Sequence, residues 1–98
     1  MATLHIEHPV TDLRVWRAAF DRFAEARRAA GVLGHRIQVP ADDDRYVVVD
    51  LDFATVDEAE RFRDFLRTTV WASPANSPAL AGDPVARVLT AVDARAAS

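Results

Sequence analysis

The order strand, helix, strand, strand, helix, strand predicts an α+β fold of the ferredoxin-like, split βαβ-βαβ kind, with both helices on one face of a four-stranded antiparallel sheet. Three observations carry that prediction. Hydrophobic residues alternate with polar ones at the beginning and near the end of the chain, the period of half-buried strands. Two stretches between them repeat their apolar residues at helical spacing. Pro, Gly and Asp punctuate the intervals, so the elements are short and connected by turns.

From Ala2 to His8 the chain places Ala2, Leu4 and Ile6 on one side and Thr3, His5 and Glu7 on the other, and Pro9 closes the strand. Asp12 is suited to an N-cap, and Leu13, Trp16, Phe20, Phe23 and Ala30 form the apolar stripe of a first helix that Gly31 stops. Val32 to Val39 reads as the second strand, interrupted by Gly34 and closed by Pro40. The acidic link Ala41-Asp42-Asp43-Asp44 turns it into a hairpin with Tyr46 to Phe53, the strongest strand of the chain and one suited to a central place. Thr55 with Glu58 forms a capping box for a second helix, whose apolar positions are Val56, Ala59, Phe62, Leu66 and Val70. Asp57 with Arg61, and Asp64 with Arg67, are charge pairs on its solvated side. Trp71 to Pro84 holds three of the five prolines and reads as loop, with room for one short helical turn around Pro78 to Ala81. Val85 to Val92 alternates again as a last strand. The chain thus reads as one domain over 1–94 with a frayed tail over 95–98.

Composition narrows the function classes. The net charge is −3 and the bases are spread along both halves, so no cationic face for nucleic acid is expected. No apolar run approaches the roughly 20 residues of a membrane span, and the charged, alternating opening is not a signal peptide, so cytoplasm is the default location. There is no cysteine, which excludes disulfides, thiolate metal sites and thiol nucleophiles. All twelve bases are arginine, which removes Schiff-base chemistry and an amine general base.

Helices cover only one side of a sheet, yet the third strand is apolar on both: Val47, Val49 and Leu51 on one side, Tyr46 and Val48 on the other. A chain of 98 residues has no further element for the second side, so a second copy, sheet facing sheet, is the expected cover. His8-Pro9-Val10-Thr11-Asp12 through Trp16 and Phe20, Ala30-Gly31-Val32, Val49-Asp50-Leu51-Asp52-Phe53-Ala54-Thr55, and Gly82-Asp83-Pro84-Val85 together resemble the dimeric α+β barrel superfamily. Within it the chain is similar to the small antibiotic-biosynthesis-monooxygenase-like proteins. The resemblance spans nearly the whole chain and implies a homodimer with an internal cavity. Superfamily members include cofactor-free oxygenases of polycyclic phenols, haem-degrading enzymes, lactone isomerases, polyketide cyclases and amino-acid-sensing modules, so it leaves the chemistry open. Haem degradation by the superfamily's scheme requires a late iron-ligating histidine, and none follows His35.

Three histidines, the strand acids and one tyrosine are left to carry chemistry. His5 is the candidate proton acceptor and Asp50 the group that orients it; the competing reading has Asp50 and Asp52 neutralised by Arg36 or Arg87. Tyr46 is the candidate donor to a ligand oxygen, or a plain strand aromatic. Trp71 caps the cavity or packs on the partner subunit. Asn76, five residues further, is the candidate counterpart of the asparagine that the resemblance places near the substrate together with a tryptophan. His35 is a candidate ligand contact or a surface histidine, and His8 is read as structural. His5 and His8 point to opposite faces of one strand, so no metal site is expected, and no cofactor.

Two functions from different classes follow. In the first, the chain is a homodimeric barrel that binds a small, mostly apolar organic molecule in its cavity, as a cofactor-independent oxygenase, isomerase or cyclase of an aromatic or polyketide-type substrate. In the second, it is a non-catalytic ligand-binding or dimerisation module. An enclosed pocket containing His5 and Asp50 favours the enzyme; acids neutralised by arginine favour the module.

Overall fold

The computed structural model describes residues 1–95. Four strands, β1 (Ala2–Pro9), β2 (Gly34–Gln38), β3 (Tyr46–Phe53) and β4 (Val85–Thr90), form one antiparallel sheet in the order β2-β3-β1-β4. Helices α1 (Leu13–Arg22), α2 (Ala24–Ala29) and α3 (Val56–Phe65), with a π-helical turn at Leu66–Val70, connect them. Among the described residues no helix is long and apolar enough to cross a membrane.

Strand parity decides which face the helices cover. Leu4 and Ile6 of β1, Val49, Leu51 and Phe53 of β3 and Ala86 of β4 are buried with Ala59 and Phe62 of α3 in one core cluster. The register carries this through the sheet: Leu4 opposes Leu51 and Val88, and Ile6 opposes Val49 and Ala86. The alternate residues, Thr3, His5, Glu7, Tyr46, Val48, Asp50 and Asp52, are only partly covered and form the other face.

Local signals explain the ends of most elements. Asp12 accepts from the backbone N–H groups of Arg14 and Val15 at 2.8 and 3.2 Å, which starts α1. Thr55 accepts from Glu58 N–H at 3.2 Å and donates its hydroxyl to the Glu58 carboxylate at 3.1 Å, which starts α3. Gly31 has φ +96, the left-handed conformation that ends a helix without steric cost only at glycine.

Several expectations need correction. The first helix is not continuous, because the Phe20 carbonyl is taken by Phe23 N–H and by the Arg27 guanidinium, and the chain breaks at Phe23 into α1 and α2. The strand β1 runs through Pro9, which opposes Tyr46 although its nitrogen cannot donate. The second strand begins only at Gly34, since Val32 N–H still bonds back to Arg27 O. The second long helix changes to π-helical hydrogen bonding after Phe65, with Trp71 N–H reaching Leu66 O at 2.7 Å. At Pro78–Ala81 the chain makes a single turn, Leu80 N–H reaching Ser77 O at 3.3 Å, but no helix, and Leu80 forms an antiparallel bridge with Val10. The last strand stops at Thr90. On exposed helix faces the charge pairs formed are Arg17–Asp21 at 3.2 Å and Glu25–Arg28 at 2.6 Å, not those expected on the later helix. Of the expected frayed tail, 96–98 lies outside the described residues.

Candidate functional site

The sheet separates two groups of chemistry-bearing side chains. On the uncovered face, neighbouring strands bring β1 His5 opposite β3 Asp50 and β4 Arg87, and β2 Arg36 opposite Asp50. His5 Nδ1 lies 2.7 Å from Asp50 Oδ1 and Nε2 lies 2.9 Å from Glu7 Oε2. Ionised carboxylates only accept, so both bonds form at once only when His5 is the imidazolium. The hydrogen bonds to Glu7 and then Asp50 raise the His5 pKa above its ordinary value, outweighing its partial desolvation. Arg36 donates to the other Asp50 oxygen at 3.2 Å, and Tyr46 donates its hydroxyl to Glu7 at 2.8 Å. The hydrogen bond from His5, with that from Tyr46 behind it, lowers the Glu7 pKa, while the bond to Glu7 raises that of the Tyr46 phenol. Thr3 donates to Asp52 at 3.1 Å.

On the covered face, a cavity of about 80 Å³ lies between the sheet and the helices. Trp16, Phe20 and Phe23 come from the first helical segment, Phe62 and Phe65 from α3, Trp71 from beyond the π turn, and Ile6, His8, Val49 and Leu51 from the sheet floor. Trp16 stacks on Phe20 with ring centres 5.2 Å apart, and His8 meets Trp16 edge-on at 6.4 Å. His8 is 3% exposed. Its Nδ1–H donates to the Pro9 carbonyl, 2.9 Å away, which can only accept and so fixes the tautomer. The lone pair is then on Nε2, which finds no hydrogen-bond partner among the described residues. Desolvation lowers the His8 pKa and outweighs the Pro9 hydrogen bond, so the ring is held neutral.

The candidate residues are thus distributed rather than assembled. His5, Asp50 and Tyr46 share the uncovered face and are linked through Glu7. Trp71 lines the cavity on the opposite side of the sheet. His35 is exposed at β2, on the side of the helices, with its ring edge-on to Phe20 at 5.2 Å. Asn76 donates to the Thr69 carbonyl at 3.0 Å and so ties the loop to the π turn; it is not among the cavity residues. The cavity contains neither His5 nor Asp50.

Two residues of the cavity wall are not among the candidates the sequence offers for chemistry: His8, which reads there as structural, and Arg27. His8 shares parity with Leu4 and Ile6, which was sufficient to place it under the helices once the buried face was known. Arg27 falls four residues after Phe23 and seven after Phe20, on the apolar stripe itself, where a charge is out of pattern.

No protein-family model and no curated protein matches the sequence. Solved structures do match in shape. SnoaB, a cofactor-independent oxygenase from Streptomyces nogalater, superposes with a TM-score of 0.72 at 18% identity over 95% of this chain and 94% of that one. The monooxygenase from the gene ActVA-Orf6 of Streptomyces coelicolor, solved with Nanaomycin D, gives 0.69 at 18% over 99% and 92%. A dimeric ferredoxin-like protein from an uncultured marine organism gives 0.70 at 11% over 96% and 97%. The sheet order, the helices on one face and these superpositions together show that the chain has the ferredoxin-like fold of the antibiotic-biosynthesis-monooxygenase-like proteins.

Proposed function

We propose that the chain works as a homodimer and that each copy binds a small, mostly apolar organic molecule in the cavity between helices and sheet. The observation that carries this reading is the cavity wall, where six large aromatic side chains surround a neutral imidazole with an unused lone pair. Dimerisation is supported by the uncovered sheet face, which presents Tyr46, Val48, Val85 and Leu89 with no element of the described chain over them. The dimeric structural neighbours point the same way.

The chemistry supported best is proton removal from an acidic hydroxyl or an enolisable carbon of the bound molecule, with His8 Nε2 as acceptor. That step suits a cofactor-independent oxygenase, isomerase or cyclase, because it produces an electron-rich anion. His5 and Asp50, the residues favoured from sequence, serve this reading less well: both nitrogens of His5 are committed to carboxylates, and the cavity is across the sheet. Their geometry supports a charge-balanced dimer face instead.

A thermal-shift screen of small aromatic and polyketide-like compounds tests binding. We expect hits whose stabilisation falls by more than half in Trp71→Ala and is retained in His5→Gln. A screen without hits, or hits indifferent to Trp71, overturns the cavity assignment. Light scattering on the same sample is expected to give a dimer, and a stable monomer would remove that half of the proposal. One observation favours a second, non-catalytic reading, in which the chain binds without turning over: the acid Asp50 is neutralised by Arg36 and His5. Oxygen uptake and product analysis with a bound hit separate the two.

A further inference from the structure

We propose that Arg27 makes this cavity a site for a small aromatic carboxylate, a single flat ring whose acid group pairs with the guanidinium. The inference rests on the cavity being the ligand site and adds the charge of the ligand. Arg27 is the one charged residue on the cavity wall and is 8% exposed, among otherwise mostly apolar neighbours. Among the described residues no carboxylate pairs with it. The acid whose charge it feels, Asp21, lies on the exposed side of α1 and is bonded to Arg17 at 3.2 Å.

The contacts Arg27 does make use only part of the group. Its guanidinium carbon lies 3.6 Å above the centre of the Phe20 ring, and Nη1 donates to the Phe20 carbonyl. A guanidinium has five N–H donors in a flat fork, so a second edge remains without a protein acceptor. The unbonded nitrogens of Arg27 are not sealed inside the protein, so they remain open to a ligand, and a bidentate carboxylate is the partner that matches both the charge and the fork.

Shape and size complete the class. Ring contacts run in order from His8 to Trp16, from Trp16 to Phe20, and from Phe20 to Arg27, so an apolar ring can lie along them with its acid at the Arg27 end. The cavity of about 80 Å³ is smaller than the roughly 150 Å³ apolar cavity known to admit benzene. That limits the ligand to one ring and requires the wall of Leu66, Val70, Trp71 and Leu80 to yield a little. A purely structural Arg27, a cation at the C-terminal end of α1 seated on an aromatic face, makes the same internal contacts but has no preference for ligand charge.

The experiment is a binding comparison on the full chain, by titration calorimetry or ligand-observed NMR, with benzoate and its neutral counterpart benzamide. We expect benzoate to bind about tenfold or more tightly, and Arg27→Gln to remove that preference while benzamide binding persists. Benzamide binding as tightly as benzoate overturns the inference and leaves the cavity assignment standing. Neither compound nor any neutral aromatic binding overturns both. The wild-type comparison decides the matter even where Arg27→Gln fails to fold, and Arg27→Lys, which retains charge but loses the fork, is expected to recover only part of the preference.

Discussion

His5 and His8 stand three residues apart on one strand, and the sheet gives them opposite electrostatics. His8 faces the helices, is desolvated and has its pKa pushed down. His5 faces away, is bracketed by Glu7 and Asp50 and has its pKa pushed up. The same contrast holds for the two faces as wholes. One is an apolar layer with a cavity whose wall carries one charged residue, Arg27; the other is a chain of hydrogen-bonded charges among scattered apolar residues. A polar group on the first face has an unmet need that a ligand can satisfy, whereas on the second the neighbours already satisfy it. That difference, more than residue type, leaves one ring nitrogen of His8 without a partner while both nitrogens of His5 are bonded.

The largest test of the contrast is mechanical. Leu51 is 1% exposed at the centre of the covered face, and Leu51→Ala is expected to destabilise the chain by about 2–5 kcal/mol in urea unfolding, through lost burial and a residual cavity. Val48→Ala, on the same strand but the other face, is expected to cost less than about 1 kcal/mol in dilute protein. If a second copy covers that face, the Val48→Ala effect grows with protein concentration, because folding and association are then linked. Equal effects at every concentration would mean that the two faces do not differ in this way.

A smaller test uses pH. The raised His5 pKa contributes stability that is fully present below the unfolded value of 6.5 and is lost as pH rises through the folded value. The lowered His8 pKa works in the other direction: its contribution is present above 6.5 and is lost as pH falls through the folded value. Stability governed by this pair therefore peaks near 6.5. His5→Gln should flatten the alkaline decline and His8→Gln the acid one, measured as unfolding midpoints across pH 5 to 8. Asp50→Asn, by removing one of the acids at His5, should move the His5 NMR titration back toward 6.5. A single-sided dependence that neither variant alters would break the assignment.

Most of this architecture was legible because periodicity reports it directly. Alternation in β1 and β3 fixes which residues share a face, and the Asp12 and Thr55 caps fix where helices start, since those signals are local. The break at Phe23 was not legible, because it depends on Arg27 taking a carbonyl seven residues earlier, a tertiary contact with no local signature. The His5–Asp50 pair is readable from parity, but parity alone does not tell that Glu7, two residues away on the same face, takes Nε2. Nor does sequence spacing reveal on which side of the sheet empty volume remains. That depends on how Trp16, Phe20 and Trp71 pack, and it puts His8 rather than His5 on the cavity wall.

The smallest effect concerns the end of the uncovered network. Tyr46 donates to Glu7 at 2.8 Å, and Glu7 in turn accepts from His5 at 2.9 Å, so Tyr46→Phe removes one outer hydrogen bond without touching the inner ion pair. Hydrogen bonds at a half-exposed site contribute about 1 kcal/mol to stability, so unfolding should change little. The readout is electrostatic instead. Because the hydrogen bond from His5 lowers the Glu7 pKa more than the one from Tyr46 does, Glu7 should rise only part of the way toward its ordinary value of 4.5. His5 should retain most of its upward shift, since its own bonds to Glu7 and Asp50 remain. Carboxyl and imidazole titrations by NMR measure both. Collapse of the His5 shift in Tyr46→Phe would show that the network acts as one cooperative unit; an unchanged Glu7 would show that the phenol contributes nothing. Either result would redraw the uncovered face, whereas neither would affect His8, which has the sheet between itself and this network.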